Sequence, residues 1–145
     1  MRDADSVPKQ KGGIGELAVT LARDLQETLR ISTTMRFRAN SVELDNKSLR
    51  DVDIVAQFLQ FIRESKSARK LVLVGFTDPV GPIDKNLVLS LERANAVRQV
   101  LLRKLRDPQY ARLIETRGYG PAIAVACNEN EAGRDKNRRV EVWVR

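Results

Sequence analysis

Apolar positions along this chain follow two rhythms that divide it into alternating helical and extended stretches. Ile14, Leu17, Ala18, Leu21, Ala22, Leu25 and Leu29 recur every three or four residues, the spacing of a single helical stripe, and predict a helix over 14–30. Leu49, Val52, Val55, Ala56, Leu59 and Ile62 repeat the pattern. Asp45 or Asn46 suits the N-cap of that second helix, which runs to about Glu64. Leu87, Leu91, Ala94 and Leu101, with Arg98 in the same row, predict a third helix from a cap at Asp84 to about Arg103. Between the helices the period changes. Met35 and Phe37 alternate with Arg36 and Arg38, predicting a strand over 32–37. Residues 71–74 are a continuous apolar run stopped by Gly75, the mark of a buried strand. A third strand is predicted over 114–118. The last covers 139–144, where Val140, Val142 and Val144 alternate with Glu141 and Trp143. Short helical turns are expected at 110–113 and 131–134. The order β-α-β-α-β-β predicts an α+β fold, a mixed four-stranded sheet with its helices on one face.

Composition narrows the chemistry. A chain of 145 residues that is 42% hydrophobic builds one cored domain rather than a disordered segment. Lys and Arg outnumber Asp and Glu by 26 to 19. The net charge of +7 favours an anionic partner, whether nucleic acid, acidic lipid or a charged wall polymer, or is simply a solvated surface. There is no histidine, so histidine acid–base chemistry and histidine-ligated metal are excluded, and zinc lacks its usual ligands. The single cysteine, Cys127, cannot form an intrachain disulfide and reads as a small packed thiol. Residues 1–13 are polar and read as a flexible lead-in without the apolar core of a signal peptide. The basic stretch 134–139 is interrupted by Asp135 and has no aromatic platform, so a nucleic-acid partner is not expected.

One stretch concentrates candidate chemistry. Phe76, Thr77 and Asp78 lie at the exit of the 71–74 strand, and Pro79, Gly81 and Pro82 turn the chain there. Asp78 precedes a proline, which biases it to extended backbone. On the following helix Asn86, Ser90, Arg93 and Val97 share a row beside the apolar stripe. A carboxylate at a strand exit and a guanidinium on the next helix make a small pocket with one acidic and one basic pole. On residue types alone, Asp78 also reads as a turn residue, Arg93 as a surface arginine or brace, and Asn86 as a backbone tie. Ser90 reads as a packing residue, with nothing to activate it as a nucleophile.

The string G-F-T-D-x-x-G-x-x-x-x-N-x-x-L-S-x-x-R-A-x-x-V, from Gly75 to Val97, resembles the signature of OmpA-like C-terminal domains. That family covers the peptidoglycan-associated lipoproteins and the periplasmic domains of flagellar stator B subunits. G-Y-G at 118–120 with N-x-x-E-A-G-R-x-x-N-R-R-V-E at 128–141, and M-R-F-R-A-N-S-V-E-L at 35–44, resemble its other two blocks in the same order. The departures are Phe76, where His is common, and Lys85, where an aromatic often precedes the Asn; both are expected at the rim of the site.

The resemblance implies an OmpA-like β-α-β-α-β-β sandwich over 33–145, with 14–31 a linker or accessory helix. It implies non-catalytic binding of peptidoglycan through the diaminopimelate of the stem peptide, with no cofactor and no metal. Asp78 would take the ammonium and Arg93 the carboxylate. Thr77, Asn86 and Asn40 would line the pocket, and Arg138 would support it from the last strand. The implied setting is the periplasm, within a longer exported protein held at the outer membrane or another membrane by parts outside this chain. Other envelope proteins are the further class of partner. A scaffold domain that has lost wall binding is the alternative.

Overall fold

The computed structural model describes residues 5–6, 13–25 and 28–145. Most of the expected lead-in, residues 1–4 and 7–12, lies outside the described residues. The elements in order are β1 (Asp5–Ser6), α1 (Ile14–Asp24), β2 (Leu29–Arg36), α2 (Asn46–Glu64), β3 (Leu71–Gly75), α3 (Ile83–Leu105), a 3-10 helix (Pro108–Leu113), β4 (Ile114–Gly118), α4 (Glu131–Asn137) and β5 (Arg139–Val144). They build a mixed sheet of order β1-β4-β3-β5-β2. β3 and β4 are parallel, as the α3 crossover between them requires, and β5 runs antiparallel to both β3 and β2. The sheet has five strands where the hydrophobic pattern predicts four, because the two-residue β1 pairs with the outer edge of β4.

The apolar run in β3 is buried on both faces. Leu71 and Leu73 join Met35, Val140 and Val142 under α2 and α3, where Val55, Leu59, Val97 and Leu101 complete the main core. Val72 and Val74 point the other way, as alternation along a strand demands, and pack with Leu17, Leu21 and Leu25 from α1 and its C-cap. The expected one-sided packing therefore holds for α2 and α3, while α1 covers the opposite face. A strand with no polar side leaves both of its faces to be covered.

Further boundaries differ from expectation, among them those of α1, β2, α3 and α4. α1 stops at Asp24 instead of continuing to about 30, because Leu29 and Arg30 pair with Val144 and Trp143 of β5. Backbone pairing at the sheet overrides the helical spacing of Leu29. α3 starts at Ile83 with Pro82 as N-cap, so Asp84 lies in the first turn instead of capping it. α4 runs on to Asn137, three residues past the expected turn. By contrast, the Asp45 carboxylate does cap α2, accepting from Ser48 N at 2.7 Å. Cys127 is exposed rather than packed, since the loop carrying it folds over α4 and not into either core.

α3 lies unusually close to the sheet. Gly75 and Gly118 are register partners on β3 and β4. A Cβ on Gly75 would come within 1.9 Å of the Ser90 carbonyl oxygen, and one on Gly118 within 2.6 Å of Leu91 N. Two glycines side by side let the α3 backbone rest on the sheet. Ser90 Oγ then bridges the two, donating to Leu87 O and accepting from Gly120 N at 3.0 Å. This contact fixes Asn86 and Arg93, one turn to either side of Ser90, against the exits of β3 and β4.

Candidate functional site

A cavity of about 260 Å³ opens at the C-terminal end of β3. Its wall contains Asn40, Thr77, Asp78, Asn86, Arg93 and Arg138, so all six residues singled out from the sequence border one space. Ala39, Val80, Leu89, Glu131 and Arg134 complete it. The last two had a signal in the 128–141 block, but no rule of spacing marks which of its charges face inward.

Asp78 is nearly buried. Its Oδ1 accepts from Val80 N at 2.9 Å, a tight turn that the following proline favours, and its Oδ2 accepts from Arg138 Nη1 at 3.0 Å. Asn86 braces the same turn, donating through Nδ2 to the carbonyls of Val80 at 3.0 Å and Asp78 at 3.4 Å. Thr77 is only 4% exposed, and its Oγ1 has no hydrogen-bond partner among the described residues. A buried hydroxyl without a protein partner is uncommon in a folded domain. Asn40 holds a left-handed backbone, φ 53°, in the loop after β2.

Arg93 borders the cavity yet has no exposed surface. Its Nε donates to Ser41 O at 2.9 Å, Nη2 to Arg38 O at 2.9 Å, and Nη1 to Phe76 O at 3.4 Å. The guanidinium also lies over the Phe37 ring. Arg93 thus clamps the 38–41 loop to the exit of β3. Burial, with a smaller contribution from neighbouring Arg138, pushes its pKa down to about 10, against the pull of Asp78. It remains a cation at neutral pH.

Arg138 ties the site to α4. Nε donates to Phe37 O, Nη1 to Asp78, and Nη2 to both Glu131 at 2.6 Å and Asp135 at 3.3 Å. Burial opposes its charge, but the hydrogen bonds to Asp78 and Glu131 outweigh that and raise its pKa. The same bond holds the Glu131 carboxyl below the usual range. Arg138 therefore contacts Asp78 directly, and does so from the C-cap of α4 rather than from the last strand, which starts at Arg139.

The two departures from the family pattern lie away from the cavity. Phe76 is buried toward α1, with the Arg139 guanidinium 4.0 Å from its ring centroid and Tyr119 beside it. Only its carbonyl faces the site, through Arg93. Lys85 is exposed and is not part of the wall.

The sequence profile of the OmpA family matches residues 36–138, a stretch that contains every wall residue of the cavity. The chain belongs to the OmpA family. Outer membrane porin F of Pseudomonas fluorescens is 34% identical to it over 118 residues, 81% of this chain and 34% of that protein. A peptidoglycan-associated lipoprotein of Buchnera aphidicola is 31% identical over 113 residues, 78% of this chain and 61% of that protein. This OmpA-family chain thus spans about a third of the porin and under two thirds of the lipoprotein. The crystal structure of the peptidoglycan-associated lipoprotein from Burkholderia pseudomallei superposes with a TM-score of 0.66 at 26% identity, covering 77% of this chain and 89% of that one. The sandwich expected of an OmpA-like domain is the one observed, and β1 and α1 precede the residues that the family profile matches.

Proposed function

We propose that this OmpA-family domain binds peptidoglycan without altering it and holds a larger envelope protein to the cell wall in the periplasm. The observation that carries the reading is the convergence of Asp78, Arg93, Arg138 and the unmatched Thr77 hydroxyl on one opening. The ligand is the free end of diaminopimelate in the stem peptide, which presents an ammonium and a carboxylate together. Asp78 receives the ammonium. Each of its oxygens accepts one protein hydrogen bond and has a further lone pair to offer. Arg93 supplies positive field from the cavity floor, and Thr77 Oγ1 gains the partner it lacks. Hydrogen bonds to charged groups contribute about 1.5–3 kcal/mol each. Two or three of them give a reversible hold that many attachment points on a polymer multiply.

The electrostatics favour an anchor over a hydrolase. Cleaving a glycan requires a carboxyl kept protonated near neutral pH. The two carboxylates of the wall, Asp78 and Glu131, both pair with Arg138, and Glu131 is shifted away from protonation. Phe76, the departure that most favours a scaffold role, points away from the cavity.

Retention on purified diaminopimelate-containing sacculi tests the reading. The wild-type domain is retained, and Asp78→Ala, folded by circular dichroism, is lost to the supernatant. Equal retention of the two proteins overturns it.

A further inference from the structure

The two ends of the sheet differ in charge. β3 begins at Leu71, beside Ile114 of β4 and Val144 of β5, and Val144 pairs with Leu29 of β2. The stretches 63–70 and 103–112, which lead into β3 and β4, therefore meet at one end of the sheet. The cavity opens at the other end, about 17 Å away along the strands. Those two stretches hold eight Lys and Arg residues against Glu64 and Asp107, which is six of the seven net positive charges of the chain. Arg63 is paired with Asp107 and Lys104 with Asp53. Lys66, Arg69, Arg106 and Arg112 are exposed and form no ion pair or side-chain hydrogen bond among the described residues.

An apolar groove opens at the same end, between the last turns of α2 and the edge strand β2. It encloses about 490 Å³ and is walled by Leu29, Ile31, Phe58 and Phe61, with Arg30 and Arg69 its only charged residues among those described. Leu29 is 66% exposed and Phe61 65%. Large apolar side chains that face water within a ring of cations suit the boundary between lipid headgroups and acyl chains.

We propose that this end of the domain docks on an anionic phospholipid bilayer, with Phe61 and Leu29 entering the headgroup layer and the surrounding Lys and Arg residues meeting lipid phosphates. The surface lies at the opposite end from the cavity and stands independently of the wall-binding reading. Charge complementarity selects this occupant. A second copy of the chain, paired symmetrically along β2, would set Arg30 and Arg69 against their own counterparts. A peptide seated in the groove would leave Arg112 unmatched, because β4 is three strands from β2, about 14 Å across the sheet. A bilayer is a plane of negative charge that faces the whole end at once. Nucleic acid would meet the cations but gives Leu29 and Ile31 nothing to do.

The test is sedimentation of the whole chain with vesicles of phosphatidylcholine alone, and with vesicles in which one lipid in three is phosphatidylglycerol. Wild type binds the anionic vesicles at low salt, binds them less as salt rises, and leaves the neutral ones. Lys66→Gln with Arg69→Gln weakens binding about 25-fold, about fivefold for each charge removed. Arg50→Gln with Lys85→Gln removes two exposed charges away from this end and changes binding by about twofold or less. Phe61→Gln weakens it about fivefold while keeping the salt dependence. All these positions are exposed, so each variant keeps the wild-type thermal midpoint. Four results would each overturn the proposal: wild type that does not distinguish the two vesicles, equal losses from the two double variants, no effect of Phe61→Gln, or tighter binding to duplex DNA than to the anionic vesicles at equal phosphate concentration.

Discussion

Asp78 Oδ2 lies 3.0 Å from Arg138 Nη1, across 60 residues of chain, and the two side chains are 12% and 4% exposed. The pair joins the exit of β3 to the C-cap of α4. Asp78→Asn removes the charge while keeping the shape. Sacculus retention is expected to fall at least about tenfold, because an amide cannot neutralise an ammonium. Stability falls by only about 1–3 kcal/mol, since Arg138 keeps Glu131 and Asp135. Sedimentation with sacculi and a urea midpoint, measured on the same preparation, separate the two effects.

Thr77→Val should split binding from folding. The hydroxyl has no protein partner, so an isosteric methyl costs the fold nothing or stabilises it slightly. Binding weakens severalfold if the hydroxyl contacts the ligand. An unchanged binding isotherm alongside an unchanged melting temperature removes Thr77 from the site.

Gly75→Ala and Gly118→Ala are expected to be among the most damaging single-atom changes in the chain. Each places a methyl inside the backbone of α3, at 1.9 Å and 2.6 Å from its nearest atoms. Neither neighbour is a flexible side-chain tip that swings away at Gly75, where the clash is with a carbonyl. A loss of about 3 kcal/mol or more in chemical denaturation is expected, toward or above the upper end of overpacking penalties. Because Ser90 lies between Asn86 and Arg93, any variant that folds should also show altered binding.

Asn137 organises the loop before α4. Its Oδ1 accepts from Val125 N at 2.7 Å and Ala126 N at 3.1 Å, and its Nδ2 donates to Ala126 O and Asn128 Oδ1. Asn137→Ala leaves these groups unpaired, at a cost of about 1–3 kcal/mol for each one that stays buried. Hydrogen exchange should accelerate at residues 125 and 126 before it does in β3 or β5. Loss of protection spread evenly over the sheet would contradict this local role.

Acid should loosen the site through Glu131. Its folded-state pKa lies below the ordinary glutamate value because Arg138 hydrogen-bonds the charged form. A carboxyl depressed in this way adds stability above its unfolded pKa, about 4.3, and that contribution is lost as pH falls through the lowered folded value. Thermal midpoints of wild type and Glu131→Gln should therefore differ near neutral pH and converge in strong acid. Glu131 is well exposed, so the gap is small. Parallel curves across the acid range would refute the linkage.

Much of this architecture is written in short-range spacing. The bounds of β4 and β5 and of α2 follow from period, caps and breakers within a few residues, because a strand or helix stripe is a local geometric fact. The motif strings likewise brought Asp78, Arg93 and four companions to one cavity. Where local pattern competed with pairing across the sheet, pairing won: Leu29 keeps helical spacing with Leu25 yet pairs with Val144. The accessibility of each charge was beyond local reading altogether. Arg93, Arg134 and Arg138 are the same residue type near similar motifs, and they differ only in which distant groups close over them. Arg38, Ser41 and Phe76 cover the first, Asp78 and Phe37 engage the last, and Arg134 keeps an opening. By itself the sequence determined the order of the elements from α1 to β5 and named six of the residues that border the cavity. Only the tertiary structure decided which of those charges meets solvent, because burial is set by contacts between segments 17 to 101 positions apart.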